Sequence, residues 1–70
     1  MAEYVSNTVY EFRIARELTQ EELAHKVGVS RQTIIAIEKG RYTPSILLAL
    51  KIASVFKTPV EHLFRISHEK

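Results

Sequence analysis

The stretch Thr19–Gly40, TQEELAHKVGVSRQTIIAIEKG, decides the fold of this 70-residue chain. It has the pattern of two short helices joined by a tight turn. Thr19 and Glu22 have the spacing of a capping box, in which a hydroxyl and a carboxylate bond the first free N–H groups of a helix. This pair predicts a helix over Gln20–Val27. Gly28 predicts its end, because glycine adopts the left-handed cap conformation without a Cβ penalty.

A second helix follows the turn. Ser30 is placed as its N-cap, and the helix is predicted to run from Arg31 to about Lys39, where Gly40 stops it. The two helices cross closely, and Ala24 offers a side chain small enough for that approach. With the apolar side of the second helix packed against the first, the polar side chains at its start are predicted to point away from the protein.

Apolar residues recur at helical spacing through the rest of the chain, and no strand alternation or internal repeat is visible. The sequence therefore predicts an all-α fold, a compact five-helix domain over residues 1–70 with its core at about residues 7–66. Only the first few and the last few residues are expected to be loose ends. The remaining helices are predicted at about Thr8–Arg16, from Thr43-Pro44 onward, and from Thr58-Pro59 onward, with a second capping box at Thr58 and Glu61.

Composition excludes several classes of protein. The chain has no cysteine, so neither a disulfide nor a thiolate metal site is available. No signal peptide is visible, and no apolar stretch approaches the roughly 20 residues of a membrane span, so we expect a cytoplasmic protein without membrane contact. The three histidines have no metal-ligand spacing, and nothing resembles a catalytic nucleophile or a pair of catalytic carboxylates. We therefore expect no metal, no cofactor and no enzymatic activity.

The outward face of the second helix has the chemistry of DNA recognition. Arg31 and Gln32 are its first residues, and Ile35 and Ala36 follow one turn later. Arginine can bond guanine bidentately, glutamine can do the same with adenine, and an apolar side chain can touch the methyl group of thymine. The N-terminal end of such a helix is the part that enters the major groove. We therefore predict that these four residues read bases.

The charge distribution is compatible with the same partner. The net charge is only +2, but the segment from Lys39 to Lys57 has four basic residues and no acidic one. A basic segment directly after a recognition helix is suited to bind DNA phosphates. A solvated basic face would have the same composition, and charge alone does not decide between the two. Lys39 and Arg41 are the candidates closest to the helix.

The stretch Arg16–Pro44, RELTQEELAHKVGVSRQTIIAIEKGRYTP, resembles the phage repressor and Cro-type helix-turn-helix family, also called the xenobiotic-response-element family. With the flanking segments, the resemblance covers nearly the whole chain. It implies a five-helix domain that binds double-stranded operator DNA as a two-fold dimer. It also implies residue roles: base reading by Arg31, Gln32 and Ala36 with Ile35 beside them, phosphate contacts by Gln20, Thr33, Arg41 and Tyr42, and a structural ion pair between Arg13 and Glu38.

Glu17 and Ile35 are two of the positions that depart from the family pattern. Many relatives have glycine where this chain has Glu17, so the first helix is expected to end differently or to run longer. Relatives often have serine or asparagine where this chain has Ile35. Isoleucine can contact a thymine methyl group but cannot donate a hydrogen bond, so we expect narrower base discrimination.

The C-terminal segment raises the question of a partner. A chain of 70 residues has a small core, and Phe64 and Ile66 are candidates for a symmetric interface between two copies. We expect a homodimer that reads a near-palindromic operator and regulates transcription as a repressor. The alternative is a protein-interaction module, such as an adaptor or the antitoxin half of a pair whose partner is the toxin. Arg31, Gln32 and the basic loop favour DNA, since an adaptor would not need them.

Overall fold

The computed structural model describes residues 2–69, which form four α-helices, one turn of 3-10 helix and a two-stranded antiparallel sheet. Met1 and Lys70, the ends of the predicted domain, lie outside the described residues. No helix in this part of the chain is both long and apolar enough to span a membrane. In chain order the elements are β1 (Glu3–Asn7), α1 (Val9–Ala15), α2 (Gln20–Val27), α3 (Arg31–Glu38), α4 (Ile46–Phe56), the 3-10 helix (Val60–His62) and β2 (Phe64–His68).

The prediction of an all-α, five-helix fold is wrong, because a strand lies near each end of the chain. β1 and β2 pair antiparallel with Val5 opposite Ile66, and the hydroxyl oxygens of Ser6 and Ser67 lie 2.7 Å apart across the pair. In β2, the apolar residues Phe64 and Ile66 alternate with polar ones, which is the period of a strand. The segments expected to be loose ends are therefore paired with each other.

The segment predicted as a fifth helix forms a single 3-10 turn, Val60–His62. The hydroxyl of Thr58, predicted to cap that helix, instead lies 3.2 Å from Nδ1 of His62. Thr8 bonds the carbonyl groups at the end of the turn: its hydroxyl donates to His62 O at 2.8 Å, and its N–H donates to Leu63 O at 2.9 Å. Because a longer helix would need these carbonyls for its own N–H groups, the chain leaves the turn as a strand.

The helices α2 and α3 begin where the sequence predicts. The Thr19 hydroxyl accepts the Glu22 N–H at 3.0 Å, and the Glu22 carboxylate accepts the Thr19 N–H at 2.8 Å, so the predicted capping box is confirmed. The bond from the Thr19 N–H lowers the pKa of Glu22 below its ordinary value, because it stabilises the charged carboxylate. Ser30 caps α3 by accepting the Thr33 N–H at 3.3 Å.

Two other helices differ slightly from their predicted bounds. The N-cap of α4 is Ser45, which accepts the Leu48 N–H at 3.1 Å, so this helix begins later than the predicted start at Thr43-Pro44. The first helix, Val9–Ala15, is one residue shorter than predicted at each end. Neither difference moves the turn between α2 and α3.

The four α-helices of residues 2–69 all end in the same hydrogen-bonded arrangement, in which a residue with positive φ lets two N–H groups turn back to carbonyls of the last turn. After α1, the Glu17 N–H donates to Ile14 O at 3.0 Å and the Leu18 N–H donates to Arg13 O at 3.1 Å. Glu17 therefore ends the first helix in the conformation that glycine favours. The positive-φ residues are Glu17 (56°), Gly28 (76°), Gly40 (75°) and Lys57 (54°).

Glu17→Gly is expected to stabilise the protein by about 0.5–1 kcal/mol, because glycine adopts a positive φ without the Cβ clash of other residues. Urea or thermal unfolding of the variant measures the change. Glu11→Gly is the control, since Glu11 lies inside α1, where glycine should cost about 1 kcal/mol. If both variants lost stability equally, the backbone conformation at Glu17 would not be the source of strain.

The hydrophobic core lies where α2, α3 and α4 meet, and Val9 and Leu63 pack into it from outside these helices. Phe56 is the largest of its fully buried side chains. Ile34 and Ile37 anchor α3 with complete burial of their side chains. This packing fixes the rotation of α3 about its axis, and the opposite face of the helix remains open to solvent.

Candidate nucleic-acid interface

The first turn of α3 presents two polar side chains to solvent. Arg31 and Gln32, the first predicted base readers, are exposed, whereas Ile34 and Ile37 on the other face are buried. The helix start is held by its N-cap hydroxyl, which lies 3.1 Å from Oγ1 of Thr33. The two polar side chains thus extend from a helix end whose position is fixed by both capping and core packing.

The next turn of α3 is less open. Ile35 and Ala36, the other predicted base readers, are half-buried, and so is Thr33, a predicted phosphate contact. The partial exposure leaves a shallow apolar surface one turn behind Arg31. Such a surface is suited to contact a thymine methyl group, and it offers no side-chain hydrogen bond to a base.

The predicted phosphate contact at the start of α2 is held by a neighbouring helix. Nε2 of Gln20 donates a hydrogen bond to Oε1 of Glu38 at 3.1 Å. Gln20 also lines one surface groove together with Glu21 and Arg31. The first turn of α2 therefore lies beside the end of α3 that is predicted to read bases.

Arg13 and Glu38 form a two-point ion pair between α1 and α3. Nε of Arg13 lies 2.7 Å from Oε2 of Glu38, with only 8% and 6% of the two side chains exposed, and Nη2 donates to Oε1 at 3.1 Å. The third nitrogen, Nη1, donates to Leu18 O at 2.8 Å. The hydrogen bonds to Glu38 raise the pKa of Arg13 above its ordinary value. One buried guanidinium thus links α1, the segment before α2, and the C-terminal end of α3.

The loop after α3 carries the other predicted phosphate contacts. Lys39, Arg41 and Tyr42 are all exposed. Tyr42 lines a surface groove together with Lys51 of α4. In the sequence, Lys51 is marked by its charge alone, whereas the structure places it near a predicted phosphate contact. Lys51 therefore joins the candidates for this role.

Asn7 positions α3 in a way that the sequence does not reveal. Its Oδ1 accepts the N–H of Val9, the first residue of α1, at 3.1 Å. Its Nδ2 donates to Ile37 O at 2.8 Å. One side chain at the end of β1 therefore holds both the start of α1 and the last turn of α3. The bond to Ile37 O joins residues 30 positions apart, so no local pattern predicts it.

The two candidate dimer residues differ in exposure. Phe64 is half-buried and packs against the hydrophobic core, whereas Ile66 is 72% exposed. An apolar groove of about 270 Å³ is lined in part by Val5, Ile46 and Phe64. Ile46 is itself 77% exposed. The sheet and the start of α4 thus carry large aliphatic side chains that the fold of one chain does not cover.

Comparison with known proteins identifies relatives of the chain. A family model described as Helix-turn-helix matches residues 9–63. The chain is 55% identical over 60 residues to an uncharacterized HTH-type transcriptional regulator of Methanocaldococcus jannaschii. This match covers 86% of this chain and 91% of that protein. It is 34% identical over 58 residues to the cryptic phage CTXphi transcriptional repressor RstR of Vibrio cholerae, over 83% of this chain and 52% of the repressor.

A solved structure agrees with these sequence matches. The restriction-modification controller protein C.AhdI of Aeromonas hydrophila superposes with a TM-score of 0.71 at 30% identity, over 77% of this chain and 78% of that one. The family model begins with α1 and extends just past the 3-10 turn. β1 and β2 therefore lie outside the matched part, which is why a resemblance to the family does not predict them.

Proposed function

The chain belongs to the helix-turn-helix family, and we propose that it regulates transcription by binding a specific DNA sequence with α3 in the major groove. Its family is one of DNA-binding regulators rather than a class of enzymes. The Vibrio cholerae relative is a transcriptional repressor, and we propose that this protein also represses, by occupying a promoter.

The observation that carries this proposal is the first turn of α3. Arg31 and Gln32 are exposed there, at the end of a helix that buries Ile34 and Ile37 on its other face. A helix fixed in this way can enter the major groove with its N-terminal end, as in other helix-turn-helix proteins. Arginine and glutamine are the side chains that bond guanine and adenine bidentately.

Groups suited to phosphate lie beside the start of α3 and directly after its end. Gln20 lines a groove with Arg31, while Lys39, Arg41 and Tyr42 follow the C-terminal end of the helix. Phosphate contacts fix the register of a protein on the duplex, and base contacts then read the sequence. We propose that these residues, together with Thr33 and Lys51, hold the duplex while Arg31, Gln32, Ile35 and Ala36 read it.

The experiment that tests the function is selection from a random pool of duplex DNA with purified protein, repeated at two salt concentrations. We expect a consensus of two half-sites about one helical turn, roughly 34 Å, apart. Recovery of a consensus at both salt concentrations supports sequence-specific binding. Weak binding that gives no consensus and disappears at the higher salt concentration would contradict the proposal, because that behaviour is typical of non-specific contact with phosphates.

Gln32→Ala is expected to reduce affinity for the selected site by about 1–3 kcal/mol and to relax the preference at one base position. Arg41→Ala is the comparison variant: it should weaken binding to all sequences alike and lower the salt dependence by about one unit in the log–log slope. Fluorescence anisotropy with the selected site and single-base variants measures both. If Gln32→Ala kept the original base preference, Gln32 would not be a base reader.

We also propose that the protein acts as a homodimer, with Ile66 and neighbouring apolar side chains between the two copies. Ile66→Asp is expected to shift the protein toward a monomer, because a carboxylate would be buried without a partner in the interface. Sedimentation equilibrium at tens of micromolar measures the change. Ile14→Asp is the matched control, since Ile14 is another exposed isoleucine, on α1. A wild-type protein that sediments as a monomer and binds a single half-site would contradict this part of the proposal.

A further inference from the structure

The side-chain amide of Gln20 is held in one orientation by Glu38. Nε2 of Gln20 lies 3.1 Å from Oε1 of Glu38 and donates to it. An ionised carboxylate accepts hydrogen bonds and cannot donate them. The NH₂ end of the amide therefore faces Glu38, because the reverse orientation would bring the amide oxygen against a carboxylate oxygen.

The carboxylate itself cannot turn. Both of its oxygens are bonded by Arg13, at 2.7 Å through Nε and at 3.1 Å through Nη2. The Glu38 side chain is only 6% exposed, and Arg13 is anchored in addition to the carbonyl of Leu18. The atoms that face Gln20 are thus set by a buried pair that links α1 with α3.

One hydrogen of the Gln20 amide remains for another acceptor. Nε2 carries two hydrogens, and the bond to Glu38 uses one of them. A phosphate oxygen is an acceptor only, so it can bond the second hydrogen but would repel the amide oxygen. Arg13 also balances the charge of Glu38, which keeps an anionic group near the DNA from opposing the phosphates.

From these contacts we propose that Glu38 is a positioning residue that sets the amide of Gln20 as a hydrogen-bond donor to a DNA phosphate. This inference rests on the proposed DNA-binding function and assigns a role to Glu38, the last residue of α3, which is neither a predicted base reader nor a predicted phosphate contact. It makes the phosphate contact of α2 depend on a carboxylate of α3 and on an arginine of α1. The three helices would therefore act as one unit in fixing the register on the duplex.

The test is a double-mutant cycle on DNA affinity with Glu38→Gln, Gln20→Ala and the two combined. In Glu38→Gln, Arg13 retains the one remaining side-chain oxygen, and the new amide presents an N–H to Gln20, which turns the Gln20 amide around. We expect Glu38→Gln to weaken binding to the selected site about fivefold, the equivalent of one ordinary hydrogen bond. In the Gln20→Ala background the same change should have less than a twofold effect.

Equal losses in both backgrounds would overturn the inference, because Glu38 would then act only through the fold. No loss in either background would overturn it as well. Glu21→Gln is the matched control, since it removes the same charge from an exposed residue that lines a groove together with Gln20. Removal of a negative charge should by itself strengthen binding to DNA, which is opposite in sign to the effect expected for Glu38→Gln.

A second measurement needs no variant and applies even if Glu38→Gln does not fold. In the NMR spectrum of the wild-type protein, the chemical shifts of the two Nε2 protons of Gln20 should respond differently to DNA. The proton bonded to Glu38 should be shifted downfield already in the free protein, and the other proton should shift only when the selected DNA is added. Equal responses of the two protons would overturn the inference. A wild-type protein that binds no specific DNA would instead overturn the proposed function, and the inference with it.

Discussion

Arg13→Ala is expected to destabilise the protein by about 3–5 kcal/mol, because it leaves the carboxylate of Glu38 buried without its counter-charge. Arg13 is only 7% exposed, and all three of its guanidinium nitrogens donate hydrogen bonds. The loss is comparable with the total stability of a small domain. Urea unfolding followed by circular dichroism at 222 nm measures the free energy of unfolding of the wild-type protein and the variant.

Two further variants distinguish the stability lost by breaking the Arg13–Glu38 ion pair from the stability lost by removing any arginine side chain. Arg16→Ala removes an exposed arginine from the end of the same helix, where Nη2 donates to Phe56 O at 2.7 Å, and should cost about 1 kcal/mol. Arg13→Met combined with Glu38→Leu should be more stable than Arg13→Ala, since it leaves no buried charge alone. A cost below 1 kcal/mol for Arg13→Ala would mean that solvent reaches Glu38 easily.

Phe56→Ala is the second substitution with a large expected effect, a loss of about 3–5 kcal/mol. Phe56 is fully buried at the end of α4. Its ring centroid lies 5.6 Å from that of Phe12, and the guanidinium of Arg16 lies 5.3 Å from its centroid. Truncation removes the contacts of the ring and leaves a cavity, because the neighbouring side chains of so small a core can relax into it only partly. Thermal or urea unfolding measures the loss.

Phe56→Leu is the control for this prediction, because leucine keeps most of the apolar volume. It should cost clearly less than Phe56→Ala, at about 1–1.5 kcal/mol. The difference between the two variants then measures the cavity rather than the chemical identity of the ring. If the two variants were equally unstable, the packing of the ring against Phe12 and Arg16, and not the filled volume, would account for the stability at this position.

The central part of the fold could be predicted because its signals are local. The capping box of Thr19 and Glu22, the cap at Ser30 and the positive-φ glycines each act within a few residues, so the sequence places α2 and the start of α3 correctly. The strands could not be predicted in the same way. β1 is five residues long, and its partner lies about 60 residues further along the chain, as the contact of Ser6 with Ser67 shows.

The same distinction applies to the candidate site. Arg31 and Gln32 are predicted to be exposed at a helix start, and the structure places them there, because capping and helical periodicity determine both features. The bonds from Gln20 to Glu38 and from Asn7 to Ile37 O join elements that meet only after folding. Neither bond leaves a signal in the residues next to it. The sequence therefore indicates which side chains meet solvent, and the structure is needed to show what holds them.

The pairing of β1 with β2 has a consequence for how quickly the protein folds. The helices depend mainly on contacts between residues close in sequence, and such contacts form in microseconds to milliseconds. The sheet joins residues separated by nearly the whole chain. Closing so long a loop costs conformational entropy before the contacts between the strands can stabilise the closed loop. We therefore expect the sheet to form last. During synthesis, β1 cannot pair until Phe64–His68 has left the ribosome, although α3, which carries Arg31 and Gln32, can pack against α2 before then.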